Sequence, residues 1–252
     1  MSRIALITGA TAGIGEACAH TFASNNFNLI LTGRRADRLK KLSDDLEKTY
    51  PVKTISLNFD VRDKAAVQAN LDQLPKEWKK VDVLINNAGL SQGLDPIDEG
   101  STDDWDVMID TNIKGLLYVT KIVSQWMVER KLGHIINLGS IAGKEVYPKG
   151  NVYCATKHAV DALNKAMRID LLPYGIKVTG IHPGAVETEF SEVRFKGDKQ
   201  RAGKVYEGFE PLIAADIAET IWFAVNRPAH VNINELVIMP AAQATATNIR
   251  RD

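Results

Sequence analysis

Tyr153 and Lys157 stand four residues apart in YCATK, a spacing that sets both side chains on one face of a helix. A phenol with an intrinsic pKa of about 10 is protonated at neutral pH. An ammonium at about 4 Å, in an effective dielectric near 20, favours the phenolate by roughly 4 kcal/mol. That corresponds to about three pKa units, opposed in part by desolvation. A tyrosine so poised can act as general acid to a carbonyl or general base to an alcohol. Ser140, in INLGSIAG, ends an apolar run thirteen residues before Tyr153, where its hydroxyl could hold a substrate oxygen. Each feature alone has an ordinary structural explanation, since Tyr–Lys pairs are common on helices and a strand-end serine is often a cap.

A second chemistry-bearing segment is TGATAGIG, residues 8–15. Gly9, Gly13 and Gly15 fall where the first apolar run gives way to a helical pattern. There a phosphate can approach the backbone and meet the free N–H groups of a helix start. The spacing is Gly-x-x-x-Gly-x-Gly, and its place between first strand and first helix points to nucleotide binding over an ordinary tight turn. The second strand ends LILTGRR, with Gly33 where an acid would accept hydrogen bonds from the ribose 2′-OH of NAD. Arg34 and Arg35 follow, and guanidinium forks suit a 2′-phosphate, so the pattern favours NADP. The alternative, two solvated arginines, places positive charge at a helix start where it is unfavourable. Further on, VETEFSEVRFKGDKQR puts Arg194 and Lys196 either side of Phe195. Alone, these read as solvated charges on a loop.

The elements that must hold these groups alternate along the chain. Candidate strands are Arg3–Thr8, Asn28–Thr32, Val52–Asp60, Val81–Asn86, Gly133–Leu138, Lys177–His182 and Glu235–Met239. Most are near-continuous Val/Ile/Leu runs, as expected of strands covered on both faces. Helical periodicity marks Asp37–Thr49, Lys64–Leu74, Asp104–Arg130, Val152–Leu172 and Ala214–Asn226. The alternation predicts an α/β fold: one doubly wound domain over 1–252, with a seven-stranded parallel sheet and helices on both faces. In such sheets ligands bind outside the carboxyl ends of the strands, where Ser140 and the glycine turn fall. Pro183–Pro211 shows no clear periodicity, and 184–211 is expected to form a substrate lid. The tail Ala241–Asp252 has little apolar content and is expected to be disordered or ordered by a neighbouring subunit.

Composition bounds the rest. The 252 residues hold 31 Lys plus Arg against 31 Asp plus Glu, so there is no net field to gather nucleic acid or an anionic membrane. No apolar run approaches the roughly 18 residues of a membrane span, and MSRIALITGA is not a secretory signal. Two cysteines, Cys18 and Cys154, make no disulfide framework, which fits a cytoplasmic protein. His20, His134, His158, His182 and His230 show no ligand spacing, and no metal is implied.

The motifs together resemble the short-chain dehydrogenase/reductase family. Its TGxxxGxG is matched by Thr8, Gly9, Gly13 and Gly15, and its NNAG by Asn86, Asn87, Ala88 and Gly89. The resemblance runs over nearly the whole chain and implies roles. Asn112, Ser140, Tyr153 and Lys157 become a catalytic tetrad, with Asn112 supporting a water that links Lys157 to solvent. Lys157 would also hydrogen-bond the nicotinamide ribose. Thr11, Ile14, Asn87, Ala88 and Gly89 join the glycines and arginines in binding cofactor, Asp60 and Val61 hold the adenine, and Pro183, Gly184, Val186 and Thr188 border the nicotinamide end. A strand-end carboxylate is the alternative reading of Asp60. Homotetramers are usual in the family.

Within it, TEFSEVRFKGD and PAHVNINELVIMP look like the NADP-dependent 3-hydroxy acid dehydrogenases, which include serine and L-allo-threonine dehydrogenases. The resemblance implies oxidation of a β-hydroxyl, or the reverse carbonyl reduction, on a small substrate whose carboxylate is held by Arg194 first and Lys196 second. The alternatives are a 3-oxoacyl-carrier-protein or general carbonyl reductase, and a non-catalytic NADP-sensing regulator, which would be expected to have lost Tyr153 or Lys157.

Overall fold

The structure is a computed structural model describing residues 3–252. Strands and helices alternate as β1 (Ile4–Ile7), α1 (Gly13–Ser24), β2 (Asn28–Gly33), α2 (Ala36–Thr49), β3 (Thr54–Asn58), α3 (Lys64–Asp72) and β4 (Val83–Asn86). The chain continues through α4 (Thr102–Ile109), α5 (Leu116–Arg130), β5 (His134–Leu138), α6 (Asn151–Leu171) and β6 (Lys177–Pro183). Seven strands pair in the order β3-β2-β1-β4-β5-β6, with the last strand, β9 (Glu235–Ile238), at the far edge. Every neighbouring pair is parallel.

Every residue of β1, β4 and β5 is buried, which is why these segments carry apolar runs without alternation. Ala5 and Ile7 face one layer, with Phe22 of α1 and Leu39 of α2. Ile4 and Leu6 face the other, with Val67 of α3, Val119 of α5 and Val160 of α6. Each fully buried Leu or Phe contributes roughly 1.5–3 kcal/mol over leaving it in water. Because β1 lies between β2 and β4, the strand order reverses there and opens a crevice at the strands' carboxyl ends.

Three segments depart from the sequence reading. The helix expected as continuous over Asp104–Arg130 is interrupted by a π turn at Asp110–Gly115, between α4 and α5. The stretch 183–211, expected to be irregular, holds β7 (Val186–Glu187), α7 (Phe190–Arg194) and α8 (Lys199–Lys204). β7 pairs in parallel with β8 (Leu212–Ile213), just before α9 (Ala214–Val225). Helices of five and six residues are too short to show a period.

The third departure is the tail, which is ordered by its own chain. The Arg251 guanidinium donates to the carbonyls of Val205, at 3.1 Å, and Glu207, and lies 5.1 Å from the Phe209 ring centre. Gln243 accepts from the Ala185 backbone at 2.8 Å. Among the described residues no helix is long and apolar enough to cross a membrane.

Candidate active site

The turn from β1 to α1 is locked to the end of β4 by hydrogen bonds. Thr8 Oγ1 accepts from the backbone N–H of Asn87 at 3.0 Å and of Ala88 at 2.9 Å. Asn87 Nδ2 donates to the carbonyls of Thr8 and Gly9. A Cβ on Gly15 would collide with the Gly9 carbonyl oxygen, so this position fixes how tightly α1 begins. Gly9 and Gly13 take φ of +67° and +55°, which an L side chain resists. No side chain caps α1, leaving its first N–H groups to an anion. The backbone cradle, the uncapped helix start and nearby arginines fit a dinucleotide.

One cavity runs along the carboxyl ends of the central strands. Gly9, Thr11, Gly13 and Ile14 line its middle, and Arg34, Arg35, Asp60 and Val61 line one end. Asn87, Ala88, Gly89, Ser140, Tyr153 and Lys157 meet at the other, with Pro183, Gly184, Val186 and Thr188 opposite. Gly15 and Asn112 stand behind this lining.

The two arginines differ. Arg34 is exposed, 3.8 Å from Asp60. Arg35 is engaged: its Nε and Nη2 donate to Thr11 Oγ1 at 3.1 and 2.9 Å, and Nη1 donates to Glu189 Oε2 at 2.8 Å. It therefore has a structural partner that the sequence did not disclose. Burial would raise the Asp60 carboxyl, but hydrogen bonds and charge from Arg62, with Arg34, hold it below the usual range.

Asn112 lies in the π turn and joins two parts of the site. Its Oδ1 accepts from Leu90 N at 2.9 Å, while Nδ2 donates to Leu90 O at 2.8 Å and Thr156 Oγ1 at 3.0 Å. The NNAG loop is thereby tied to α6, which carries Tyr153 and Lys157. π turns cluster at functional sites because the extra residue re-aims a side chain without breaking the helix. Gly115 ends this turn, where a Cβ would fall 2.7 Å from Val61 Cγ2.

Lys157 is buried, and its Nζ donates to the Leu138 carbonyl at 2.8 Å. Burial lowers its pKa to about 8. Tyr153 is also buried, and this burial raises the phenol; the Arg194 charge and then a polar contact from Ser140 pull it back without cancelling the rise. The sequence made Lys157 the cation that acidifies the phenol. In this structure Lys157 turns to a strand carbonyl and Arg194 is the cation nearest in effect.

Arg194 closes α7. Its Cζ stands 5.1 Å from the ring centres of both Tyr153 and Phe190, and Nη2 donates to the Tyr147 hydroxyl at 2.9 Å. Its Nε is buried without a partner. Arg194 does not itself line the cavity but abuts Tyr153 and Phe190, which do. Lys196 does not reach the cavity either. Its backbone is left-handed, with φ +53°, and Nζ pairs with Asp104 at 2.9 Å, fastening this segment to α4. Sequence reasoning missed Tyr147, Glu189 and Phe190. Position gave a hint for Tyr147, an aromatic residue in the loop between Ser140 and Tyr153.

Behind the cavity wall at Gly139, Asp161, His182 and Glu235 bring their ligand atoms within 4.8 Å of one another. The Lys144 ammonium sits between the carboxylates, 2.8 Å from Asp161 and 2.6 Å from Glu235. Burial, then the Lys144 charge, lowers the His182 pKa to about 4, so its ring is neutral.

Sheet order, glycine cradle and the Ser140–Tyr153–Lys157 grouping define a dinucleotide-dependent oxidoreductase, and the chain belongs to the short chain dehydrogenase family, which matches residues 3–199. It is 46% identical over 250 residues to the NADP-dependent 3-hydroxy acid dehydrogenase YdfG of Escherichia coli (strain K12), covering 98% of this chain and 99% of that one. It is 45% identical over 254 residues to sulfoacetaldehyde reductase 2 of Chromohalobacter salexigens, covering 100% of both. The closed form of serine dehydrogenase complexed with NADP+ superposes with a TM-score of 0.92 at 47% identity, over 99% of this chain and 100% of that one.

Proposed function

We propose that the protein is an NADP-dependent oxidoreductase acting on the β-hydroxyl of small 3-hydroxy acids or β-hydroxy amino acids, and on the corresponding carbonyls in reverse. Residues 1–252 work as one unit, with 184–211 as its lid. Bound in the cradle, the cofactor accepts or supplies the hydride. Ser140 holds the reacting oxygen, and Tyr153 takes or returns its proton. Lys157, with an ammonium whose pKa burial lowers to about 8, stands between the Leu138 carbonyl and Gly89 and serves proton exchange and cofactor orientation. Asn112 positions the loop and helix on which these groups sit.

The observation that carries the substrate reading is Arg194, whose buried Nε lacks a partner while its guanidinium overlies Tyr153. A guanidinium at that depth suits an anion on the carbon next to the reacting one. Lys196, spent on Asp104, has no part in it. The same donors, with the Tyr147 hydroxyl, favour a second reading in which the anion is a sulfonate, as the name of the Chromohalobacter relative suggests.

The test follows absorbance of the reduced nicotinamide with NADP and with NAD over serine, L-allo-threonine, 3-hydroxypropionate, a hydroxy sulfonate and an acetoacetyl thioester. Turnover of the small anions with NADP supports the reading. Turnover of the thioester alone would make this a 3-oxoacyl or general carbonyl reductase. We also propose a homotetramer, because Leu117 on α5 and Ile169 on α6 stand exposed. Light scattering reads its mass.

A further inference from the structure

Glu189 lies 154 residues beyond Arg35, yet its carboxylate is seated on the first turn of α2. Oε2 accepts from Arg35 Nη1 at 2.8 Å and Oε1 from Arg38 Nη1 at 2.6 Å. The side chain is half-exposed, so packing does not force it there. The attraction is electrostatic, from two guanidinium groups and the start of a helix without a side-chain cap. Hydrogen bonds and charge from Arg35 and Arg38 hold the carboxyl below its ordinary pKa, so it is ionised at neutral pH. The other donors of Arg35, Nε and Nη2, are taken by Thr11 in the glycine turn. Glu189, Arg34 and Arg35 all line the same end of the cavity.

We propose that Glu189 is a specificity-determining residue: an internal counter-anion on the arginines that the cofactor's 2′-phosphate must use. This rests on the reading of the cofactor as NADP. A carboxylate and a phosphate compete for the same guanidinium edge. The incoming 2′-phosphate either displaces Glu189 from Arg35, leaving it to Arg38, or binds beside it against its charge. In both cases Glu189 weakens the hold on a 2′-phosphate while leaving a 2′-hydroxyl untouched. Arg34, more exposed than Arg35 and held only by a 3.8 Å ion pair with Asp60, is the first of the two arginines to engage the phosphate. Because Glu189 is followed directly by α7, displacement also frees the N-terminal anchor of the helix that carries Phe190 and Arg194. Occupancy of the adenosine end is thereby linked to the position of the substrate anchor.

The experiment measures calorimetric dissociation constants of wild type and Glu189→Gln for adenosine 2′,5′-diphosphate and adenosine 5′-monophosphate, at low ionic strength. The amide keeps the size and can still accept from the arginines, so only charge is removed. For half-exposed charges about 5 Å apart, at an effective dielectric of about 50, removing the like charge should tighten the diphosphate by about tenfold. Binding of the monophosphate should stay within about twofold. Protease nicking within 190–211 should speed up in wild type when the diphosphate is added, and be fast in Glu189→Ala without it. An unchanged or weaker diphosphate constant in Glu189→Gln would overturn the proposal, showing that the carboxylate orients the arginines for the phosphate. If wild type binds the two probes equally, the NADP reading itself fails, a result separate from the effect of the substitution.

Discussion

Removing Arg194 separates two roles that its position combines. Its guanidinium carbon is 5.1 Å from the Tyr153 ring centre, and the phenol is buried where its charged form has little other support. At about 5 Å and an effective dielectric near 20, a unit positive charge stabilises the phenolate by roughly 3 kcal/mol. Partial access of solvent lowers this to about 2–3 kcal/mol. Arg194→Met should therefore leave the phenol harder to ionise. In the oxidation direction Tyr153 acts as base, so the pH profile of kcat moves to higher pH. On the rising limb the rate falls about thirty- to a hundred-and-fiftyfold and recovers as the medium becomes more alkaline. The assay uses two substrates, a 3-hydroxy acid and a neutral secondary alcohol of similar size. Both should show the shifted profile, whereas only the acid should show a raised KM, which alkali does not restore. If the neutral alcohol keeps the wild-type pH profile, the electrostatic argument is wrong and Arg194 acts on substrate alone.

Other outcomes follow from single residues. Lys157→Met should abolish turnover yet raise stability. The folded pKa of Lys157 is lowered to about 8, so between there and the unfolded value of about 10.4 the unfolded chain binds more protons and stability rises with pH. Below that window the full cost of burying the ammonium, about 3 kcal/mol, is present, and removing it gains about 1–2 kcal/mol once the orphaned Leu138 carbonyl is counted. Urea titrations at neutral pH and at strongly alkaline pH check this, and a gain that persists in alkali would contradict it. Gly33→Asp alone should weaken both NADPH and NADH, because its Cβ falls 2.8 Å from Thr11 Cγ2. With Thr11→Ser added, NADH binding should recover and NADPH binding should not, as read by nicotinamide fluorescence. Arg251→Ala should release 205–209, raising KM for the hydroxy acid by about two- to fivefold and speeding proteolysis there while cofactor affinity holds.

Much of this fold was legible because its signals are local. The buried strands announced themselves as unbroken Val/Ile/Leu runs, and the glycine turn as a spacing that only a close backbone approach requires. Ser140, Tyr153 and Lys157 could be grouped because one strand end and one helix carry them. What escaped depends on partners far along the chain. Nothing near Lys196 in sequence shows that Asp104 will claim it, and nothing near Arg35 shows that Glu189 will arrive. The tail offers only alanines and Ile249 as apolar residues, and its hold, an arginine on backbone carbonyls, leaves no hydrophobic pattern. Arg194 was singled out as a carboxylate anchor, but its effect on the phenol comes from a tertiary contact with no local signal, since forty-one positions separate it from Tyr153.

The π turn at Asp110–Gly115 divides the long helix into two rulers with different zero marks. An α-helix advances about 100° per residue, so an extra residue accommodated in a wide turn offsets the azimuth of everything after it relative to everything before. The buried stripe of α5, with Val119, Ile122 and Val123, is therefore out of phase with that of α4, where Asp104 and Met108 turn inward. Deleting one residue from 110–115 would let the ladder close as plain α-helix and bring the two rulers into register. The apolar stripe of α5 would then stay on the sheet, one residue and its roughly 100° having been removed together, while Asn112 would swing away from Leu90. In this helix an insertion or deletion matters by its angle as much as by its length.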